Sequence, residues 1–154
     1  MEIEDEKYLQ VVTFKLGEEE FAFDISHVKE VIRLPVITKV PKSKDFIEGV
    51  INLRGNVIPI IDLRKRFHFE PHFDRRYTRI IILEVESVML GGIVDAVLET
   101  KALDTSCVEP PPTAVMGGFE SEYIYGVAKL EDRLLSLLNI DKLLDFDRPT
   151  LKGS

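Results

Sequence analysis

Alternating apolar and polar positions mark the beginning of the chain. Within residues 9–16, Val12, Phe14 and Leu16 alternate with polar residues on one face, and the alternation resumes at Phe21 after the polar run 17–20. A period of two is typical of a half-buried β-strand. This stretch therefore predicts an opening β-hairpin.

The period changes after Asp24. Ile25 and Val28 stand three residues apart, which is the spacing of one face of a helical turn. Asp24 and Ser26 are both possible caps of such a turn. The pattern predicts one turn of helix here, followed by an extended run over residues 30–34.

A second hairpin lies near the middle of the first half. The apolar runs 49–53 and 57–61 flank Arg54-Gly55-Asn56, in which Gly and Asn accept positive φ angles easily. Pro59 has no amide proton, so it predicts an edge strand or a bulge. Asp62 stands where it would cap a short basic helix over residues 63–67.

The second half repeats this alternation of short runs and turns. The paired glycines Gly91 and Gly92 interrupt an apolar run and predict a bulge or a close backbone approach. One further helical turn is possible near 43–47, and a terminal helix begins near Asp141. The remaining predicted extended segments are 36–40, 78–86, 88–97, 98–103, 123–130 and 134–138.

Short strands separated by turns predict a mostly β protein of barrel type with small helices at its corners. Sustained helical periodicity is absent, which argues against a helical bundle or a doubly wound α/β sheet. The polar loop 68–77 contains Pro71 and predicts a boundary between two halves.

The amino-acid composition and charge favour some classes of function over others. The chain has 154 residues, a formal charge of -7 and 45% hydrophobic residues, which suits a folded acidic protein that docks on other proteins. The acidic balance opposes nucleic-acid binding and adsorption to anionic lipid. No apolar run approaches the roughly 20 residues that cross a bilayer, so we expect no membrane insertion and a cytoplasmic location.

Few residues suggest chemistry. Cys107 is the single cysteine, which fits a reducing compartment, with a reactive thiol as the alternative. His68, Glu70 and His72 lie close in sequence, but Pro71 prevents a regular helix from aligning the two imidazoles. A solvated loop is therefore the simpler interpretation, and a divalent-metal site is the alternative.

The remaining polar groups have structural explanations. His27 and Glu30 suit a surface pair better than a ligand pair. Asp62, Asp95 and Asp141 each stand where a cap or a turn is expected. We find no catalytic constellation, and a small enzyme that uses Asp62, His68 or His72 remains the alternative of a different class.

The amino-acid sequence of the central hairpin resembles that of a known family. Phe46-Ile47-Glu48-Gly49-Val50-Ile51-Asn52-Leu53-Arg54-Gly55 and the following Val57-Ile58-Pro59-Ile60-Ile61-Asp62-Leu63-Arg64 resemble the signature of the bacterial chemotaxis coupling proteins, the CheW family. Segments 14–25, 122–127 and 134–144 support the resemblance. It covers residues 9–146, with flexible tails expected at 1–8 and 147–154.

The resemblance implies a fold and a function. The fold would be two small five-stranded SH3-like barrels around a shared core, with short helices and a C-terminal helix, the first barrel near 9–67 and the second near 77–146. The family is non-enzymatic and needs no cofactor or metal. Its members are adaptors that bridge chemoreceptor cytoplasmic tips and the regulatory domain of the histidine kinase CheA.

The resemblance also implies two sets of contact residues. Glu30 and Arg54 are expected to form a charge pair that shapes the receptor groove. The receptor-facing residues would be Ile25, Val28, Glu30, Gly49, Arg54 and Arg79. The kinase-facing residues would be Ile37, Lys39 and Val40, with Pro112 and Ala114 touching a neighbouring kinase domain in an array.

Three positions depart from the family pattern: Gly91-Gly92, where relatives have one glycine and an aliphatic residue, Ala114, and Arg79, which is aliphatic in some members. Two related identities stay open. An adaptor of the CheV type would carry an appended receiver domain, and a CheA regulatory-domain fragment would normally follow other kinase domains. The chain shows neither feature, which disfavours both.

Overall fold

Short strands make up most of the structure, a computed structural model that describes residues 7–41, 44–67, 69–70, 74–110 and 123–144. The helices are α1 (Leu63–Arg66) and α2 (Ile140–Leu144), and single 3₁₀ turns cover Ile25–His27 and Thr105–Cys107. The strands are β1 (Tyr8–Leu16), β2 (Glu19–Asp24), β3 (Val28–Arg33), β4 (Ile47–Leu53), β5 (Asn56–Asp62), β6 (Arg79–Val85), β7 (Val88–Val94), β8 (Ala96–Asp104), β9 (Val108–Glu109), β10 (Ile124–Lys129) and β11 (Leu134–Leu138).

The local predictions at capped turns are confirmed. The carboxylate of Asp24 accepts the Ser26 N–H at 2.9 Å at the start of the first 3₁₀ turn. Asp62 accepts the Arg64 N–H at 3.0 Å and caps α1. Both caps satisfy amide donors that a short helix leaves without partners.

The central hairpin has a tighter turn than the sequence predicts. Arg54 and Gly55 alone form it, with φ angles of 50° and 89°, and Asn56 already belongs to β5. Two consecutive positive φ angles match the right-handed twist of the flanking strands. The side chain of Asn52 accepts the Gly55 N–H at 2.9 Å and stabilises the turn.

Pro59 does not mark an edge strand. β5 lies between β7 and β4 in the sheet of order β3-β6-β7-β5-β4. Pairing with β7 begins at Ile60, one residue beyond Pro59. The missing amide proton therefore falls just before the parallel ladder, where no bond to β7 is required.

The strand pairing does not follow the predicted division into consecutive barrels. The first sheet has the order β8-β1-β2-β11-β10-β9, and the second contains β3 to β7. The chain leaves the first sheet between β2 and β3 and returns between β7 and β8. The two sheets do not coincide with the expected barrels at 9–67 and 77–146, because each sheet takes strands from both halves, and the first sheet has six strands.

The two halves of the chain have equivalent strand arrangements, and they exchange hairpins between the two sheets. Phe46-Ile47-Glu48-Gly49-Val50 and Tyr123-Ile124-Tyr125-Gly126-Val127 occupy equivalent places, each with a register shift just before its glycine. β5 pairs in parallel with β7, and β11 pairs in parallel with β2. Each half thus contributes its N-terminal hairpin to one sheet and its later strands to the other.

The apolar residues form one shared core and two local cores. The shared core contains residues of both sheets, among them Phe14, Phe23, Ile61 and Leu83. One local cluster, around Val11 and Leu137, belongs to the first sheet, and another, around Ile58 and Ile80, belongs to the second. The expected mostly β architecture with a shared core is confirmed.

An arginine joins the equivalent aromatic residues of the two halves. The Arg66 guanidinium lies 4.4 Å from the ring centre of Phe46 and 4.6 Å from that of Tyr123. Its Nη2 also donates to the Tyr123 hydroxyl. Cation–π contacts of this kind are strongest where water is excluded, so Arg66 helps to hold the halves together.

Other local predictions fare unevenly. Gly91 and Gly92 allow a close approach, but the β6–β7 register runs through them without a bulge. No helix forms over the described residues 44–47, which instead make a turn into β4. Tyr8, predicted to lie in a flexible tail, belongs to β1, whereas residues 147–154 lie outside the described part.

Candidate functional site

Glu30 and Arg54 form the expected charge pair. Nη2 of Arg54 donates to Oε2 of Glu30, with the Arg54 side chain 69% exposed. Glu30 lies on β3, at one edge of the second sheet, and Arg54 in the turn that ends β4, at the other edge. The pair therefore joins the two edge strands of the second sheet and presents charge to solvent at the rim of the barrel.

Ile25 and Val28 lie in and next to the first 3₁₀ turn, which carries the chain from β2 to β3. Ile25 is 38% exposed, whereas Val28 is half-buried and packs against the shared core. A groove of about 810 Å³ reaches Ile25 from Tyr8, Leu9 and Asp24. Ile25 is thus available to a partner, and Val28 mainly supports it from beneath.

Gly49 does not lie beside Arg54. It is buried in β4 with a φ of +148°, and an added Cβ would lie 2.1 Å from the carbonyl oxygen of Thr38. The Thr38 N–H donates to the Val50 carbonyl at 2.9 Å, and the Val50 N–H donates back to Thr38 at 2.8 Å. Gly49 therefore contacts the segment of the expected kinase-facing residues.

That segment, residues 36–40, is called the edge segment below. Among the described residues its backbone pairs with the outer edge of β4 at the Thr38–Val50 bridge. Ile37 points toward the local core of the second sheet, while Val40 is 39% exposed. Lys39 is exposed, and its Nζ lies 3.9 Å from Oε2 of Glu48.

A polar cluster lies beneath the edge segment. Glu48 is also 3.5 Å from Nζ of Lys65, and Asp62 lies close enough to feel its charge. Burial raises the pKa of Asp62, the bond from the Arg64 N–H opposes this, and the charge of Glu48 raises it further. Among the described residues, Oδ2 of Asp62 has no hydrogen-bond partner.

Arg79 opens β6 opposite Arg33 of β3, and its Nη1 donates to the Thr78 carbonyl at 2.9 Å. The Glu30–Ile82 pairing lies three residues farther along β6. The structure therefore brings Glu30 and Arg54 together, keeps Ile25 and Val28 adjacent, and places Gly49 elsewhere. Pro112 and Ala114 lie outside the described residues.

The sequence pattern does not predict the exposure of two valines. Val36 is 91% exposed in the edge segment, and Val57 is 67% exposed three residues after Arg54. Both lie in runs that alternation alone assigns to strands. The available signals were the flanking Pro35 and the adjacent turn, which leave these side chains without a covering neighbour.

Alternative chemistry receives little support. Among the described residues there is no group of three or more His, Cys, Asp or Glu side chains that could hold a metal ion, while His68 and His72 lie outside them. Cys107 is half-buried and packs against the local core of the first sheet. In the described ranges no helix is both long and apolar enough to span a membrane.

Of the three aspartates expected at caps or turns, Asp62 caps α1 and Asp95 lies at the bend between β7 and β8, whereas Asp141 does not cap its helix. Asp95 accepts the Gly17 N–H at 2.7 Å and two bonds from Arg64, at 2.6 and 2.5 Å. Asp141 lies within α2, and Asn139 occupies the position before that helix. The carboxylate of Glu30, suggested as a partner of His27, pairs with Arg54 instead.

The chain is similar in sequence to known chemotaxis proteins. The chain is 38% identical over 147 residues to the chemotaxis protein CheW of Treponema pallidum, covering 93% of this chain and 85% of the relative. It is 34% identical over 140 residues to the chemotaxis protein CheW of Thermotoga maritima, covering 90% and 89%.

A solved structure shows the same similarity. The crystal structure of the scaffolding protein TtCheW from Thermoanaerobacter tengcongensis matches with a TM-score of 0.78 and 40% identity, over 85% of this chain and 88% of that one. The CheW-like domain family matches residues 10–148, nearly the whole described structure. The chain therefore belongs to the CheW-like domain family.

Proposed function

We propose that this protein is a non-enzymatic scaffold of bacterial chemotaxis that couples chemoreceptor tips to the histidine kinase CheA. Its relatives are named as chemotaxis proteins, and one is named as a scaffolding protein. The observation that carries the proposal is the presence of two exposed surfaces on the second sheet, the Glu30–Arg54 rim and the edge segment.

The rim suits a receptor tip. It contains a solvent-exposed ion pair, and exposed apolar side chains lie close to its two members in sequence: Val31, 40% exposed, follows Glu30, and Val57, 67% exposed, follows Arg54 by three residues. Apolar contact area bordered by charge is the usual composition of a docking surface. Ile25, five residues before Glu30, is a further exposed apolar side chain.

The edge segment suits a second partner, the regulatory domain of the kinase. It presents Val36 and Val40 to solvent and is followed by Pro41. Its outer side has no further strand in the described structure, so this side is open to a partner strand. Lys39 adds a positive charge to this surface.

The two surfaces lie on different parts of the second sheet. Val50, which pairs with Thr38 of the edge segment, and Arg54 are four residues apart on the β4 hairpin. At roughly 3.3 Å per residue the separation along the strand is about 13 Å. Because a typical interface covers about 800 Å² on each partner, the receptor and the kinase must approach from different directions to bind together.

The mechanism is physical. Binding to both proteins raises the effective concentration of kinase at the receptor, so modest individual affinities are enough. A change in receptor state then reaches the kinase as a shift between conformations that the scaffold binds differently. In this account the protein acts in the cytoplasm and is recruited to membrane receptor arrays through its partners.

Two charge substitutions test the proposal. We expect Arg54→Glu to weaken binding to a receptor signalling-tip fragment at least about tenfold and binding to the CheA regulatory domain less than twofold. Val36→Glu, at a fully exposed position, should give the opposite pattern. Calorimetric titration of each variant against each partner measures both effects.

Circular dichroism and urea unfolding serve as the folding control for both variants. Equal losses of affinity for both partners, with the fold intact, would contradict the two-surface proposal. Binding of the unmodified protein to neither partner would contradict the proposed function itself.

A further inference from the structure

The family resemblance assigns Gly49 to the receptor groove, but the geometry points to a different role. Its position in β4 is buried, and its nearest neighbours across the strand are Thr38 and Ile37 of the edge segment. Arg54 lies five residues away along the hairpin. A buried backbone position of this kind offers no side chain to a receptor.

Two features make glycine necessary at this position. The φ of +148° lies in a region that residues with a side chain rarely adopt. An added Cβ would also lie 2.1 Å from the Thr38 carbonyl oxygen and 2.8 Å from Cγ2 of Ile37. The first atom belongs to the backbone, so rotating a side chain cannot relieve the overlap.

The overlap would occur at the backbone bridge between the edge segment and β4. The Thr38 carbonyl that an added Cβ would strike is the acceptor of the Val50 N–H, and the Thr38 N–H donates to the Val50 carbonyl. In the described part of the chain, ladder pairing between the segment and β4 is limited to this bridge. Displacing Thr38 would therefore shift the backbone that positions the exposed side chain of Val36.

We propose that Gly49 is a positioning residue for the edge segment, and that it supports kinase binding rather than receptor binding. This inference rests on the proposed function for its partner, but not for its structural part. Glycine at this place lets the backbone of the segment approach β4 closely. The segment then presents a preformed strand edge, which lowers the ordering cost of docking.

The test uses Gly49→Ala with Gly55→Ala as its matched control. Gly55 also has a positive φ, of 89°, but no atom lies within 4 Å of its added Cβ. Both variants therefore carry backbone strain, and only the first one displaces Thr38. We expect amide hydrogen exchange at Thr38 and Val50 to rise at least about tenfold in Gly49→Ala and to stay unchanged in Gly55→Ala.

Calorimetry provides the second readout. Gly49→Ala should bind the CheA regulatory domain about tenfold more weakly and a receptor-tip fragment within twofold of the unmodified protein. Protected Thr38 and Val50 amides in Gly49→Ala, or loss of receptor affinity with kinase affinity retained, would overturn the inference.

A second variant covers the case in which Gly49→Ala does not fold. Thr38→Pro removes the Thr38 N–H that donates to Val50 and leaves Gly49 unchanged. It should show the same selective loss of kinase binding, and normal kinase binding by folded Thr38→Pro would overturn the inference. If the unmodified protein binds neither partner, the proposed function fails, whereas the exchange measurement still decides whether Gly49 holds the segment.

Discussion

The ion pair between Arg64 and Asp95 offers the sharpest stability prediction. Arg64 lies in α1, Asp95 connects β7 to β8, and Asp95 also accepts the amide of Gly17 in the β1–β2 turn. The pair thus ties together three chain segments, including one crossing between the sheets. Its side chains are only 13% and 19% exposed.

The expected magnitude follows from the geometry. Nε and Nη2 of Arg64 donate to the two oxygens of Asp95 at 2.6 and 2.5 Å, a two-bond arrangement in a partly dry environment. A hydrogen bond to a charged group contributes about 1.5–3 kcal/mol. Allowing for the remaining exposure, we expect a coupling energy of about 2–3 kcal/mol.

A double-mutant cycle measures this coupling. Arg64→Met keeps the aliphatic stem of the side chain, and Asp95→Asn keeps an oxygen for the Gly17 amide. Each single variant should lose more stability than the coupling alone, because it leaves one buried charge without its partner. Urea unfolding of the four proteins gives the four free energies of unfolding.

The chain supplies its own control pair. Arg76 and Asp74 have the same two-bond geometry, at 3.2 and 3.1 Å, but their side chains are 78% and 34% exposed. A cycle on this pair should give a coupling that is lost in the error, since solvent screens exposed pairs. Equal couplings for the two pairs, or a coupling below about 1 kcal/mol for Arg64 and Asp95, would refute the reasoning.

Two further predictions concern buried positions. Gly91→Ala should lower the free energy of unfolding by about 1–3 kcal/mol through overpacking, because the new Cβ would lie 2.7 Å from Ile60 and 2.8 Å from Ile80. Gly92→Ala should lose less stability in urea unfolding, because its Cβ would lie farther from its nearest neighbour, the Leu63 side chain at 3.1 Å. Equal losses for the two variants would contradict the packing argument. Burial raises the pKa of Asp62 above its ordinary 3.8, so the native state holds its proton more tightly and stability falls as pH rises from about 3.8 through the native pKa. Asp62→Asn should flatten this fall in urea unfolding between pH 3.5 and pH 7 (the approximate limits of the assay), and parallel pH profiles would contradict the assignment.

Local features of the fold could be predicted because they depend on neighbouring residues. The opening hairpin follows from a period of two, and the caps at Asp24 and Asp62 follow from a carboxylate two residues before an amide donor. The mostly β class follows from the same short-range patterns. The family motif at residues 46–64 then identified the two-sheet architecture.

Long-range pairing could not be predicted in the same way. The parallel ladders join Ile60 to Gly91 and Phe21 to Ser136, and no local pattern encodes such partners. The exchange of hairpins between the halves depends on these ladders. The ion pair of Asp95 could not be predicted for the same reason, since its partner Arg64 is distant in sequence.

The candidate site divides in a similar way. Glu30 and Arg54 were expected to pair on the basis of the resemblance, and they do. Gly49 was grouped with them, yet its contacts are with Thr38 and Ile37, because a residue in the same motif can face a different neighbour in the sheet. Exposure of Val36 depends on which strands cover it, and this is a property of the tertiary structure.

The most direct test of the scaffold account is a calorimetric titration of the CheA regulatory domain into this protein, alone and after saturation with a receptor signalling-tip fragment. The account predicts saturable 1:1 binding with an affinity that changes less than about twofold when the fragment is present, because the two surfaces are separate. Loss of kinase binding on addition of the fragment would contradict it, since both partners would then occupy the same surface.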